Sequence, residues 1–164
     1  MRVVEIKKHG GPEVLYIGSR PVPKPKKNEV LIKVKAAGIN RPDILQREGE
    51  YPPPKGVSNI LGLEISGEVI EIGKKTKNIK IGDKVCALVS GGGYSEYCVA
   101  PYQQCLSIPK NISLEEASVI PETFFTIWFN LFIRSRIEKN KKILIHGGSS
   151  GIGTTAIQFA KNYG

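Results

Sequence analysis

The stretch KILIHGGSSGIGTTAIQFAKNYG, from Lys142 to Gly164, leaves few folds open to this chain. Ile143, Leu144 and Ile145 form a short apolar run between Lys142 and a glycine turn, the pattern of a strand buried on both faces in a parallel sheet. Gly147 and Gly148 turn the chain, and Ile157, Phe159, Ala160 and Tyr163 then recur at helical spacing over 154–163. Strand, glycine turn and helix make the first unit of a doubly wound α/β sheet, and Gly151-Ile152-Gly153-Thr154-Thr155-Ala156 fits its G-x-G-x-x-(G/A) fingerprint. One glycine makes the tight turn, one lets the backbone approach a pyrophosphate, and a small residue seats helix on strand. The helix N-terminus adds free N–H groups and the positive end of its dipole. An ordinary strand-to-helix turn also carries glycines; the strand before and the helix after favour the dinucleotide reading. The sequence ends at Gly164, before a second strand or an acidic ribose partner about 20 residues on. The expectation is therefore a cofactor domain cut short.

Upstream, short alternating runs separated by Gly and Pro turns dominate: 1–8, 15–19, 29–37, 63–72, 84–89 and 94–99. Within 29–37, Val30, Ile32 and Val34 are expected inward and Lys33 and Lys35 outward. These runs predict a compact β-barrel-like domain up to about Pro109, with a helical turn over 43–48 after Pro42. Ser113-Leu114-Glu115-Glu116 is a capping box that opens a helical section. Pro121 starts a second helix through Arg134, whose Phe and Trp content predicts burial. The predicted organisation is α+β followed by α/β: a β-barrel domain at 1–112, then linking helices and the start of a dinucleotide-binding domain at 113–164.

No apolar run is long enough to cross a bilayer, and the N-terminus lacks a signal-peptide pattern, so a cytoplasmic protein without membrane attachment is expected. Cys86, Cys98 and Cys105 lack Cys-x-x-Cys spacing and are read as reduced thiols serving as small apolar residues, with no metal cluster. The net charge is +9, but its lysines fall in turns such as 24–27, 74–77 and 139–142 without interleaved aromatics. These read as solvated turns and argue against a nucleic-acid partner.

The motifs, taken in order, resemble one family. Asn40 to Pro54 (NRPDILQREGEYPPP), Ile60 to Val69 (ILGLEISGEV), Ile81 to Val85, Gly91 to Tyr97, Ile120 to Thr123 and His146 to Thr154 are similar to the zinc-free quinone oxidoreductase branch, which includes zeta-crystallin, of the medium-chain dehydrogenase/reductases. The resemblance covers the whole chain and implies a GroES-like β-barrel catalytic domain followed by a Rossmann domain. Zinc-dependent relatives carry a ligand cysteine where this chain has Asn40, a ligand histidine where it has Leu63, and a four-cysteine lobe that it lacks, so no metal is expected. The resemblance implies NAD(P)H-dependent reduction of quinones or activated enones, with NADPH the expected cofactor and NADH not excluded. It places Asn40 and Tyr51 near nicotinamide and substrate, Tyr51 as hydrogen-bond donor to the substrate oxygen. Packing of Tyr51 on the proline run is an equal alternative. Thr126 is implied to contact the nicotinamide carboxamide, or else simply faces a neighbouring helix. Gly148, Ser149, Ser150, Gly151, Ile152 and Gly153 are implied to line the pyrophosphate. Glu64 and Arg47 are expected to form a structural pair. The complete family enzyme implies a homodimer, and a second chain supplying the missing half is a further expectation. The competing expectation is a truncated or split-gene product without activity by itself. The glycine turn also looks like that of short-chain dehydrogenases, but no Tyr-x-x-x-Lys follows it.

Overall fold

The computed structural model describes residues 1–164, which divide into a first unit, Met1–Val119, and a second, Ile120–Gly164. In the first unit the alternating runs become strands β1 (Arg2–Ile6), β2 (Leu15–Ser19), β3 (Glu29–Ala37), β4 (Glu64–Ile72), β5 (Lys84–Leu88), β6 (Tyr97–Pro101) and β7 (Cys105–Ser107). Helix α1 (Arg41–Glu48) follows β3, and α2 (Leu114–Ala117) follows β7. Strands β1 and β2 pair as a hairpin; the other five form one sheet in the order β6-β3-β4-β5-β7, antiparallel throughout. A bridge between Val3 and Ser95 attaches the hairpin to the sheet.

The β3–β4 ladder shifts register between Leu31 and Ile32 and again between Val34 and Ala36, whereas β3–β6 keeps its register. Bulges on one side of a central strand bend a sheet and raise its twist, and so curl this one toward a barrel. At Gly67 the strands come so close that a Cβ would lie 2.2 Å from the Lys33 carbonyl oxygen. Val30, Ile32, Ile65, Val69, Val85, Ala87 and Ala100 fill the interior. Val30 and Ile32 point inward as expected, while Val34 is half-buried and Leu31 is covered as well, because β3 is a central strand. Strand β7 escapes sequence reading at three residues. Residues 94–96 fall short of the strand expected there, although Tyr94 still accepts from Val4 N–H at 2.8 Å.

The Ser113 capping box forms as read: Ser113 Oγ accepts from Glu116 N–H at 3.1 Å and Glu116 Oε2 from Ser113 N–H at 2.8 Å. The short helix it opens stays with the first unit, since the Ser66 hydroxyl on β4 donates to the Leu114 carbonyl.

Cys86 and Cys98 are buried, and Cys105 packs half-buried against the core. Burial pushes the Cys86 thiol up to about 11 and those of Cys98 and Cys105 to about 12. Only the thiolate reacts, and the folded state favours the thiol below these values. A disulfide reagent at pH 8 is therefore expected to modify the native chain at least ~100-fold more slowly than the urea-unfolded chain, whose thiols titrate near 8.5. The native rate should climb about tenfold per pH unit. One thiol reacting as fast in the native as in the unfolded chain would contradict this.

The second unit departs further from expectation. Pro121–Ile127 forms α3, which continues as a π-helical run, Trp128–Arg134. Gly151–Tyr163 forms α4. Phe124 meets Phe159 edge-on with centroids 4.9 Å apart, and Trp128 stacks on Phe132 at 4.7 Å. The predicted burial of this helix fails on its other faces: Trp128 and Phe129 are each 52% exposed and Ile133 56%. The predicted strand at Ile143–Ile145 is also absent. A strand exists through its partners, and this unit contains no other strand to pair with it.

Candidate functional site

The first group of site residues lies where β3 gives way to α1. Asn40 precedes the helix, and Pro42 suits its first turn. Asp43 closes the turn: its Oδ2 accepts from Asn40 N–H at 2.8 Å, while Asp43 N–H donates to the Asn40 carbonyl at 3.1 Å. The same carboxylate reaches across the fold. Its Oδ1 accepts from Gly62 N–H at 2.9 Å, and the Tyr94 hydroxyl donates to Oδ2 at 3.1 Å. Asp43 is 3% exposed, so one buried carboxylate ties together the helix start, the loop before β4 and Tyr94. Burial, then the charge of Asp43, pushes the Tyr94 phenol well above its ordinary range and keeps it a donor. Gly62 has φ 99°, and a Cβ there would come within 2.7 Å of Gly93 Cα, so this corner requires glycine.

The Asn40 amide is held from the other side. Its Nδ2 donates to Glu64 Oε1 at 2.8 Å, and Glu64 is 2% exposed. The Glu64 carboxylate fills the notch left by Gly38, where a Cβ would lie 2.1 Å from Oε1. The expected pairing of Glu64 with Arg47 is corrected: Arg47 Nε donates to the Gly10 carbonyl at 2.9 Å and its Nη2 bonds Glu48 at 2.8 Å. Arg47 lies near the end of α1 and Glu64 opposite its start, which places each beside a different partner. Tyr51 stands 49% exposed in the loop after α1, ahead of Pro52 to Pro54. No group of three or more His, Cys, Asp or Glu side chains is arranged to hold a metal ion.

The other predicted residues fall in the second unit. Ser150 caps α4, its Oγ accepting from Gly153 N–H at 3.0 Å, and this cap starts the helix at Gly151, ahead of the expected Thr154. The four glycines of the turn separate by what each would tolerate. Gly147 has φ 66°, a backbone need. At Gly153 a Cβ would lie 2.3 Å from the Gly147 carbonyl oxygen, a packing need. At Gly148 and Gly151 φ is ordinary, and a Cβ would find only a normal contact at 3.5 Å, with Ile157 and Thr123 respectively. Folding does not demand glycine at those two positions. What it leaves there is backbone that a ligand can approach closely, with Ser149, Ser150 and Ile152 around it. Thr126 lies one turn along α3 from Thr123, on the side that meets Gly151.

Sequence reading missed Asp43, Gly62 and Tyr94. An acidic residue three positions after Asn40 was the available signal, since that spacing marks a helix start; its partners 19 and 51 residues away were not legible.

Residues 26–110 match the alcohol dehydrogenase GroES-like domain. The quinone oxidoreductase of Sus scrofa is 33% identical over 166 residues, covering 100% of this chain and 50% of that protein. The structure of the quinone oxidoreductase from Coxiella burnetii superimposes with a TM-score of 0.85 at 31% identity, over 100% of this chain and 54% of that one. The structure of mycobacterial Rv1454c complexed with NADPH gives 0.86 at 30% identity, over 100% of this chain and 51% of that one. The chain thus spans about half the length of the curated relatives it matches. With that match spanning more than half of its residues, the chain belongs to the alcohol dehydrogenase GroES-like domain family, and along its whole length it is similar to quinone oxidoreductases of the medium-chain dehydrogenase/reductases.

Proposed function

We propose that this chain serves the NAD(P)H-dependent, zinc-independent reduction of quinones or activated enones. The observation that carries the reading is the glycine turn, where Gly148 and Gly151 are glycine without any need of the fold. That is the signature of a backbone shaped to a phosphate. Gly148 to Gly153 would hold the pyrophosphate and Thr126 the carboxamide of a nicotinamide dinucleotide, which supplies hydride to an electrophilic carbon when bound. NADPH is the form we assign, in line with the complex of the mycobacterial relative.

On the substrate side, reduction builds negative charge on a carbonyl oxygen. Tyr51, half-exposed on its loop, donates a hydrogen bond to that oxygen. Asn40 is oriented by Glu64 and by its place at the start of α1, so its amide meets substrate without first reorganising. A homodimer, or a second chain completing the cofactor domain, accords with this reading.

A second reading is favoured by the exposed Trp128, Phe129 and Leu144: a folded chain with no activity by itself. One assay separates the two, NADPH oxidation by the purified chain with 1,4-benzoquinone. In the active protein, Tyr51→Phe is expected to lower kcat by roughly ten- to a thousand-fold. Unchanged kinetics would return Tyr51 to packing, and a folded wild-type chain without turnover would favour the second reading.

A further inference from the structure

Two lysine-rich turns, far apart in sequence, are bound to each other at the end of the barrel opposite Asn40. Lys75 N–H donates to the Lys27 carbonyl at 2.7 Å and Gly73 N–H to the Glu29 carbonyl at 2.8 Å. At Gly73 the turns touch, since a Cβ would lie 2.0 Å from the Lys26 carbonyl oxygen. Lys26, Lys27, Lys74, Lys75, Lys77 and Lys80 are all exposed and thereby share one surface. The ion pairs of this unit are Arg2–Glu96, Arg20–Glu5, Lys35–Glu115 and Arg47–Glu48, and include none of the six. Two nearby carboxylates shape turns, Glu29 accepting from Lys26 N–H and Asp83 from Lys80 N–H at 2.8 and 2.9 Å, and Glu71 stands exposed at the end of β4. Strand β3 runs from this surface toward Asn40 over nine residues, a separation of about 25–30 Å. The surface therefore lies too far from Asn40 to hold a substrate there.

The composition of the patch indicates its partner. It contains no arginine, whose fork would read base edges, and no exposed aromatic on which bases would stack. It does contain Ile81, 61% exposed at the tip of the turn between Lys80 and Lys84. Lysines around an exposed apolar tip fit an anionic lipid surface, where ammonium groups meet headgroups and the apolar residue enters the interface. No helix is long and apolar enough to cross a membrane, and none is needed for this contact. We propose that this end of the barrel docks reversibly on anionic membrane surfaces.

The test is flotation of the full chain with vesicles of phosphatidylcholine containing about one-third phosphatidylglycerol, a surface on which each lysine adds measurably to binding. Binding is expected to these vesicles and not to pure phosphatidylcholine, and to disappear when salt near 1 M shortens the screening length to about 3 Å. Lys74→Glu/Lys75→Glu should weaken it about 30-fold or more. Lys7→Glu/Lys8→Glu removes equal charge beside the cleft at His9 and Gly49 and should have little effect. Ile81→Ser should weaken vesicle binding while leaving binding to homopolymeric RNA unchanged. Absence of vesicle binding, equal losses from both lysine pairs, or vesicle binding indifferent to Ile81→Ser would each overturn the proposal. Tighter binding to RNA than to vesicles would reassign the surface to nucleic acid.

Discussion

Replacing Asp43 with alanine is expected to destabilise the first unit by about 3–5 kcal/mol, because it removes the one acceptor shared by three buried donors. The carboxylate accepts from Asn40 N–H, Gly62 N–H and the Tyr94 hydroxyl, and it is 3% exposed. Alanine would leave these donors with no acceptor in a space water reaches poorly, and each orphaned donor costs about 1–3 kcal/mol. Gly62 has no easy escape, because its left-handed backbone is wedged against Gly93. Tyr94→Phe removes a single donor and should cost less, about 1.5–3 kcal/mol for a bond to a charged group. The double variant should fall short of the sum, since both changes break one network. Urea denaturation measures all three. A loss below about 1 kcal/mol for Asp43→Ala would mean that solvent replaces the carboxylate.

The second large expected effect is a difference in amide exchange between the units. Val34 N–H donates to the Glu96 carbonyl and Val69 N–H to the Asp83 carbonyl, each at 2.9 Å, which extends the β3–β6 and β4–β5 pairings by one bond. Their exchange should require near-global opening, at a free energy of at least about 5 kcal/mol. The amides of Ile143, Leu144 and Ile145 have no ladder to break, and Leu144 is 81% exposed. They should exchange within about tenfold of an unstructured chain, so the two sets should differ by roughly 10³–10⁴ or more. Val34 and Ile143 exchanging at similar rates in the monomeric chain would show that the second unit is as firmly held as the first.

How far the sequence could be read depended on whether a feature was local. Strands β2 and β3 begin and end where alternation and turn residues say, and the Ser113 cap forms bond for bond. Family order made the barrel and the glycine turn legible together. What was not legible needed partners. The apolar run at 143–145 has the composition of a strand and no neighbour to make it one. The aromatic helix was expected to be largely buried, yet Trp128 stacks on Phe132 with its other face in solvent, and Phe129 is as exposed as Trp128. Arg47 and Glu64 were expected to form a structural pair, but α1 carries the arginine toward Gly10 and the Asn40 amide takes the glutamate. The three lysine runs read as separate solvated turns, until backbone bonds between residues 27 and 75 joined two of them.

The silence of the three native thiols has a practical use. A chain whose native cysteines stay protonated near neutral pH needs no cysteine-free background for spectroscopy. A single cysteine introduced on the exposed tip at Ile81 would take up a fluorophore or spin label almost alone, since an open thiol ionises near 8.5. The barrel's interior therefore leaves its surface available to one reporter at a time, with the core that positions Asn40 untouched.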